Sequence, residues 1–181
     1  QNNNNAIDDN LTVHFFNDKI EGTTGEEQLQ SIIKGLNQSS DWLQKQPIDA
    51  LIGLINEASK KWLQDEKFSF LKDKGLLFLS QWCEKSHLEE VANYGLRGNI
   101  KYADSFEPLF NSDKHFLKAN ARGLVCHWLA GNVQILGFFA LVQSIITKNV
   151  NLLKVAAADN GVFTSLIKTF EGLSYTTDDG Y

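Results

Sequence analysis

Residues 122–155 read RGLVCHWLAGNVQILGFFALVQSIITKNVNLLKV and carry the clearest structural signal in the chain. No formally charged side chain occurs between Arg122 and Lys148. The pattern predicts a strand at 123–128, a tight loop at 129–131, a helix from after Asn132 to about Thr147, and a second strand at 150–155. Nearly uncharged strands without polar alternation are typical of parallel sheets that are covered on both faces. The stretch therefore predicts a parallel βαβ unit.

The same run also resembles a transmembrane helix, since about 20 apolar residues can span a bilayer. Polar residues and glycines interrupt it, however, and Gly131-Asn132 has helix-start chemistry where a span would continue. The N-terminus is polar and lacks the apolar core of a signal peptide. We therefore predict no transmembrane segment.

The length and composition of the chain indicate its domain number, its partners and its cellular setting. A chain of 181 residues can bury one substantial core, so we predict a polar, disordered tail at 1–10 and a single α/β domain at 11–181. The net charge of −5 disfavours a nucleic-acid partner, for which a basic stripe is expected. Two cysteines without a CxxC pair indicate a reducing, cytoplasmic setting. The first residue is Gln1 and the chain contains no Met, which indicates a processed or partial chain.

Upstream of the βαβ unit, helical periodicity predicts a helical layer. The expected elements are an edge strand at 11–16, a helix opened by a capping box at Thr24–Glu27, a helix with Pro47 in its first turn, a helix at about 69–85, and a short helix opened by a capping box at Ser86–Glu89. Within 69–85 we expect Leu71, Leu77, Phe78 and Trp82 to be buried. Residues 95–121 are expected to be irregular, and a closing helix at about 162–171 is expected to follow an N-cap at Asp159 or Asn160.

The carboxyl ends of parallel strands lie on one rim of a sheet, and ligands bind in the crevice there. A right-handed crossover places the loop with Gly131 and Asn132 on the same rim as Lys154. The Asn132 amide is a neutral donor that can stabilise an oxyanion, although geometry alone favours a simple helix cap. Lys154 suits a ribose or phosphate contact, and equally a solvated strand end.

The other polar candidates have simpler explanations. His14, His87, His115 and His127 have no spacing typical of metal ligands, so we interpret each as a structural histidine and predict no metal site. Cys126 falls inside the first strand, where a small buried thiol is expected. Neither Cys83 nor Cys126 lies near an evident base, so neither is predicted to be a nucleophile.

Two segments carry a family resemblance. Arg122-Gly-Leu-Val-Cys-His-Trp-Leu-Ala-Gly-Asn-Val133, followed by Thr147-Lys-Asn-Val-Asn-Leu-Leu-Lys154, resembles the long-chain acyl-CoA reductases of bacterial bioluminescence, which belong to the aldehyde dehydrogenase superfamily. The matching stretch covers about 35 residues.

The resemblance implies an aldehyde-dehydrogenase-like, Rossmann-type cofactor domain and reduction of a fatty acyl-CoA or acyl-protein to a fatty aldehyde by NADPH or NADH. By position, Asn132 would donate to the thiohemiacetal oxygen. Cofactor contacts would come from Leu129, Ala130, Gly131, Lys154 and Ala156. Alanines at 156 and 157 replace side chains that bond the ribose in the family, so the choice between NADP and NAD stays open.

Members of this family are more than twice as long as this chain, and their nucleophilic Cys lies further on. We therefore interpret the sequence as the N-terminal part of such an enzyme, inactive alone, from a full-length homo-oligomer. One alternative is a non-catalytic domain that binds a nucleotide or serves in assembly. A third reading, an ordinary aldehyde dehydrogenase, fits less well because Gly131-Asn132 stands where that group carries Trp-Asn.

Overall fold

A computed structural model describes residues 26–110, 112–129, 135–156 and 161–177. At its centre, strand β3 (Leu124–Trp128), helix α5 (Leu136–Ile146) and strand β4 (Val150–Lys154) form a βαβ unit. The strands are parallel and pair without a bulge from Leu124↔Val150 to Trp128↔Lys154. The predicted parallel unit is confirmed, and each strand is one residue shorter than expected.

The start of α5 differs from the prediction. Its first helical residue is Leu136, and the residue before it is Ile135 rather than Asn132. Residues 130–134 lie outside the described part of the chain. Seven of the eleven residues in α5 are Leu, Ile, Val or Phe on several faces, which is typical of a buried helix.

The predicted helical layer is confirmed and precedes this unit. It consists of α1 (Glu26–Lys45), α2 (Ile48–Gln64), a 3-10 helix (Glu66–Lys74), α3 (Leu76–Trp82) and α4 (Lys85–Gly95). Helix α1 contacts both strands of the parallel sheet, and α2 contacts α3, α4 and α5. Since Ile52, Ile55 and Trp62 of α2 are fully buried, α2 forms the centre of the core.

The segment predicted as one helix at 69–85 is broken at Gly75. This residue has φ +100°, a left-handed conformation that suits glycine, and it separates the 3-10 helix from α3. The break changes the helical phase, so Leu76 and Leu79 face the core while Leu77 and Phe78 are exposed. Burial of Leu71 was predicted correctly. Burial of Leu77 and Phe78 was wrong, because the prediction assumed one continuous helix.

Two predicted caps are also wrong. Helix α4 begins at Lys85, one residue before the expected cap Ser86, because Asn56 Oδ1 accepts the Lys85 backbone N–H at 3.1 Å. The closing helix α6 (Val162–Ile167) follows Gly161, which has φ +78°. A 3-10 helix at Lys168–Phe170 then ends it. Gly161 thus takes the capping position predicted for Asp159 or Asn160, which themselves lie outside the described residues. The predicted cap Thr24, the strand at 11–16 and the tail at 1–10 also lie outside them.

The region 95–121, expected to be irregular, contains short regular pieces. A 3-10 helix spans Ile100–Ala103, and the two-residue strands β1 (Glu107–Pro108) and β2 (Phe116–Leu117) pair in antiparallel fashion. Within the described parts of the chain, no helix is long and apolar enough to cross a membrane.

The segment after α6 crosses α2 at Gly53. The Tyr175 ring lies where a Cβ on Gly53 would be, and the Tyr175 hydroxyl accepts a hydrogen bond from Lys85 Nζ at 2.9 Å. This contact fixes the C-terminal segment to the helical layer.

We predict that Gly53→Ala lowers the free energy of unfolding by about 1–3 kcal/mol, the usual cost of overpacking. In a Tyr175→Ala background the same change should raise it by about 0.5–1 kcal/mol, since alanine is the better helix former. Chemical denaturation of the four variants measures both effects. An equal effect of Gly53→Ala in the two backgrounds would contradict this account of the contact.

Candidate active site at the strand ends

The carboxyl ends of β3 and β4 lie side by side and form the predicted rim. Trp128 and Lys154 are register partners, and Lys154 Nζ lies 5.8 Å from the centroid of the Trp128 ring. The Leu129 backbone N–H donates to the Lys154 carbonyl at 3.0 Å, which extends the pairing by one bond. The prediction that the first strand's loop and Lys154 share one rim is thus confirmed where the loop begins.

Other predicted site residues divide into two groups. Leu129 and Ala156 are half-buried beside the rim. A Cβ on Gly137 of α5 would lie 2.8 Å from Leu129 Cδ2, so the absence of a side chain lets α5 pack against the start of the loop. Ala130, Gly131 and Asn132 lie outside the described residues, so their site roles stay predictions.

Asn149 holds the opposite ends of the two strands in place. Its Oδ1 accepts the backbone N–H groups of Arg122 at 2.7 Å and Gly123 at 3.1 Å. Its Nδ2 donates to Thr147 Oγ1 at 2.8 Å. Arg122 and Gly123 lead into β3, and Thr147 follows the last residue of α5. A single buried amide therefore joins the start of β3 to the end of α5 and sets the register of the βαβ unit.

Asn151 and His127 form the next contact along the sheet. Asn151 Nδ2 donates to the Asn149 carbonyl at 2.8 Å, and its Oδ1 lies 2.9 Å from His127 Nε2. Since Oδ1 can only accept, His127 Nε2 is the donor. The interpretation of His127 as a structural histidine is confirmed.

Lys148 has a structural role that sequence reasoning missed. It is buried, and its Nζ lies 2.5 Å from Asp104 Oδ1. Asp104 also accepts the Ile48 backbone N–H at the start of α2, at 3.1 and 3.2 Å. The pair therefore joins α2 to the start of β4. The only sequence signal was that Lys148 ends the uncharged stretch.

The two cysteines differ in their exposure to solvent. Cys83 is buried, and burial raises the pKa of its thiol to about 12, so it is not a thiolate near neutral pH. Cys126 is exposed, which contradicts the expected burial, because Cys126 and Trp128 alternate onto the open face of β3. Within the described residues, no group of three His, Cys, Asp or Glu side chains is placed to hold a metal ion.

We expect a water-soluble disulfide reagent at pH 8 to label Cys126 rapidly in the folded 181-residue chain and to leave Cys83 unmodified. Denaturation should expose the second thiol. Mass analysis after brief labelling identifies the modified residue, and Cys126→Ser is the control that should remove the fast phase. Fast native labelling of Cys83 would contradict its burial.

A polar groove of about 550 Å³ lies elsewhere, between α2, α3 and α4. Lys85 at its edge is bound to Asp49 at 2.7 Å and to Tyr175, and these hydrogen bonds raise its pKa. The charge of Lys85 is therefore already engaged in structure. The groove shares no lining residue with the rim and has no cysteine or histidine among its lining residues.

Much of this chain is similar to a known protein family and to characterised proteins. Residues 43–178 match the acyl-CoA reductase (LuxC) family. Over 88 residues the chain is 33% identical to the long-chain acyl-protein thioester reductase of Aliivibrio fischeri, covering 49% of this chain and 18% of that protein. Over 151 residues it is 24% identical to long-chain acyl-protein thioester reductase 2 of Photobacterium leiognathi, covering 74% of this chain and 30% of that protein. No solved structure matches.

The chain thus spans less than a third of the length of these curated relatives. The family match covers the helical layer from α2 onward, the βαβ unit and the C-terminal segment. On this match, the chain belongs to the acyl-CoA reductase (LuxC) family, a family of reductases.

Proposed function

We propose that these residues form the cofactor side of a reductase that converts a long-chain acyl thioester to an aldehyde with NADPH or NADH. The observation that carries this proposal is the rim, where an aromatic ring and a cation lie side by side at the ends of two parallel strands. Nucleotides bind at such rims in parallel α/β sheets. The unit would then be part of a Rossmann-type domain.

The rim residues fit a dinucleotide. Lys154 is exposed and offers a cation to a ribose or phosphate group, while Leu129 and Ala156 present small or apolar surface beside it. When bound, the reduced nicotinamide supplies a hydride to the carbonyl carbon.

Asn132 is proposed to donate a hydrogen bond to the oxygen of the tetrahedral intermediate. The described residue before its loop supports this proposal, since the Leu129 backbone N–H donates to the Lys154 carbonyl at the carboxyl end of β4. A neutral amide can stabilise the oxyanion without itself being titrated.

The nucleophile is proposed to lie outside this sequence. Burial and a raised pKa make Cys83 unreactive. Cys126 lies on the open face of β3, and its register partner on β4 is Leu152, which offers it no general base. A thioester intermediate therefore requires a cysteine in another part of a longer protein, and residues 1–181 alone are expected to be inactive.

A second candidate is a non-catalytic nucleotide-binding or assembly domain. The exposed apolar side chains of Leu77, Phe78 and Leu136 favour it, because exposed apolar surface commonly marks a contact with further polypeptide.

Steady-state assays of the full-length protein separate the two functions. The reductase consumes NADPH or NADH only when a long-chain acyl-CoA or acyl-protein thioester is added, and aldehyde forms in equal amount. Nucleotide binding without thioester-dependent oxidation would favour the second candidate. Oxidation of NADPH without aldehyde would contradict the first.

A further inference from the structure

Trp128 is the most exposed tryptophan of the chain. The residue is 76% exposed, against 37% for Trp42 and 0% for Trp62, and Trp82 is half-buried. Indole rings normally contribute to cores because they bury a large apolar area. An indole left open at a strand end is therefore available to stack on a ligand bound there.

The register of the sheet explains why the ring stays exposed beside a cation. Trp128 is the last residue of β3, and its neighbour across the sheet is Lys154, so both side chains lie on the same face. Lys154 Nζ is 5.8 Å from the ring centroid, and most of the ring surface remains open. Within the described parts of the chain, no carboxylate forms an ion pair with Lys154.

This pair has the chemistry of a nucleotide platform. An aromatic face stacks on a base with a gain of about 1–3 kcal/mol per base, and a nearby ammonium attracts the anionic sugar-phosphate. Lys154 is exposed at the carboxyl end of β4, and no described carboxylate neutralises it, so its charge is available to an anionic ligand at the rim. An acyl chain would use the open ring but not the charge.

We propose that the Trp128 ring stacks on the adenine of the dinucleotide while Lys154 holds the adjoining ribose or phosphate. This inference rests on the proposed function and adds the residue that recognises the base. Trp128 is then a binding residue for the half of the cofactor that does not react.

Calorimetric titration of the full-length protein tests the assignment with three ligands: NADPH, AMP as a probe of the adenine side, and nicotinamide mononucleotide as a probe of the nicotinamide side. Trp128→Ala should weaken the binding of NADPH and the binding of AMP by the same factor. We expect a factor of about tenfold or more, the equivalent of roughly 1.4 kcal/mol or more. Trp128→Phe should stay within about threefold of wild type, because it keeps an aromatic face. Trp42→Ala, on α1, is the matched control and should bind like wild type.

The outcomes of the titration distinguish failure of the base assignment from failure of the proposed function. If wild type binds NADPH and Trp128→Ala binds it equally well, the base assignment is overturned while the proposed function stands. A loss confined to nicotinamide mononucleotide would also overturn it, because Trp128 would then contact the other half. If wild type fails to bind NADPH and NADH, the proposed function itself fails.

Fluorescence provides a readout that does not depend on the alanine variant folding. AMP should quench part of the wild-type tryptophan emission. That quenching should vanish in Trp128→Phe, which still binds AMP. Unchanged quenching in Trp128→Phe would overturn the assignment.

Discussion

Replacement of Asn132 by alanine in the full-length protein should lower the turnover of a long-chain acyl thioester by about 100-fold or more, the usual cost of one lost oxyanion donor. The amide is proposed to bond an oxygen that bears charge only in the tetrahedral intermediate. The loss should therefore appear in kcat, with little change in the affinity for NADPH. Steady-state rates and a cofactor titration together measure both quantities.

Asn93→Ala, at an exposed position near the end of α4, is the control for this experiment and should leave kcat unchanged. A kcat for Asn132→Ala within about threefold of wild type would contradict the oxyanion role. Asn132 would then be interpreted as part of the loop structure alone.

Asp104→Ala should lower the free energy of unfolding by about 3 kcal/mol, at the lower end of the range for breaking a buried pair because Asp104 is partly exposed. The side chains of Lys148 and Asp104 are 7% and 35% exposed. The variant leaves the Lys148 ammonium buried without its carboxylate and removes the acceptor for the Ile48 N–H. Urea denaturation measures the loss.

Glu57→Ala is the matched control, since it removes an acid from the more exposed Lys60–Glu57 pair and should cost about 0–1 kcal/mol. Adding Lys148→Met to Asp104→Ala should restore part of the stability, because no unpaired charge then remains buried. Equal losses for Asp104→Ala and Glu57→Ala would contradict the role assigned to the buried pair.

The βαβ unit was predictable because its signal is local. An uncharged run, a glycine-containing break and a second apolar run within 122–155 define two strands and a helix. The handedness of the crossover then places Leu129 and Lys154 on one rim, which the hydrogen bond between them confirms. The family resemblance, confirmed over residues 43–178, added the chemistry expected at that rim.

The errors came from features that depend on distant contacts. The break at Gly75 changes which side of α3 faces the core, and local periodicity does not report such a change of phase. The burial of Lys148 depends on Asp104, which is 44 residues away. The exposure of Cys126 depends on which face of β3 the surrounding helices leave open.

The nucleotide is proposed to bind at the rim formed by β3 and β4. Amide hydrogen exchange of the full-length protein, with and without saturating NADPH, tests this location directly. We expect NADPH to slow exchange at 128–137 and 153–157 and to leave the groove residues 56–63 and 80–89 unchanged. Slowed exchange in the groove, with none at the strand ends, would contradict the claim.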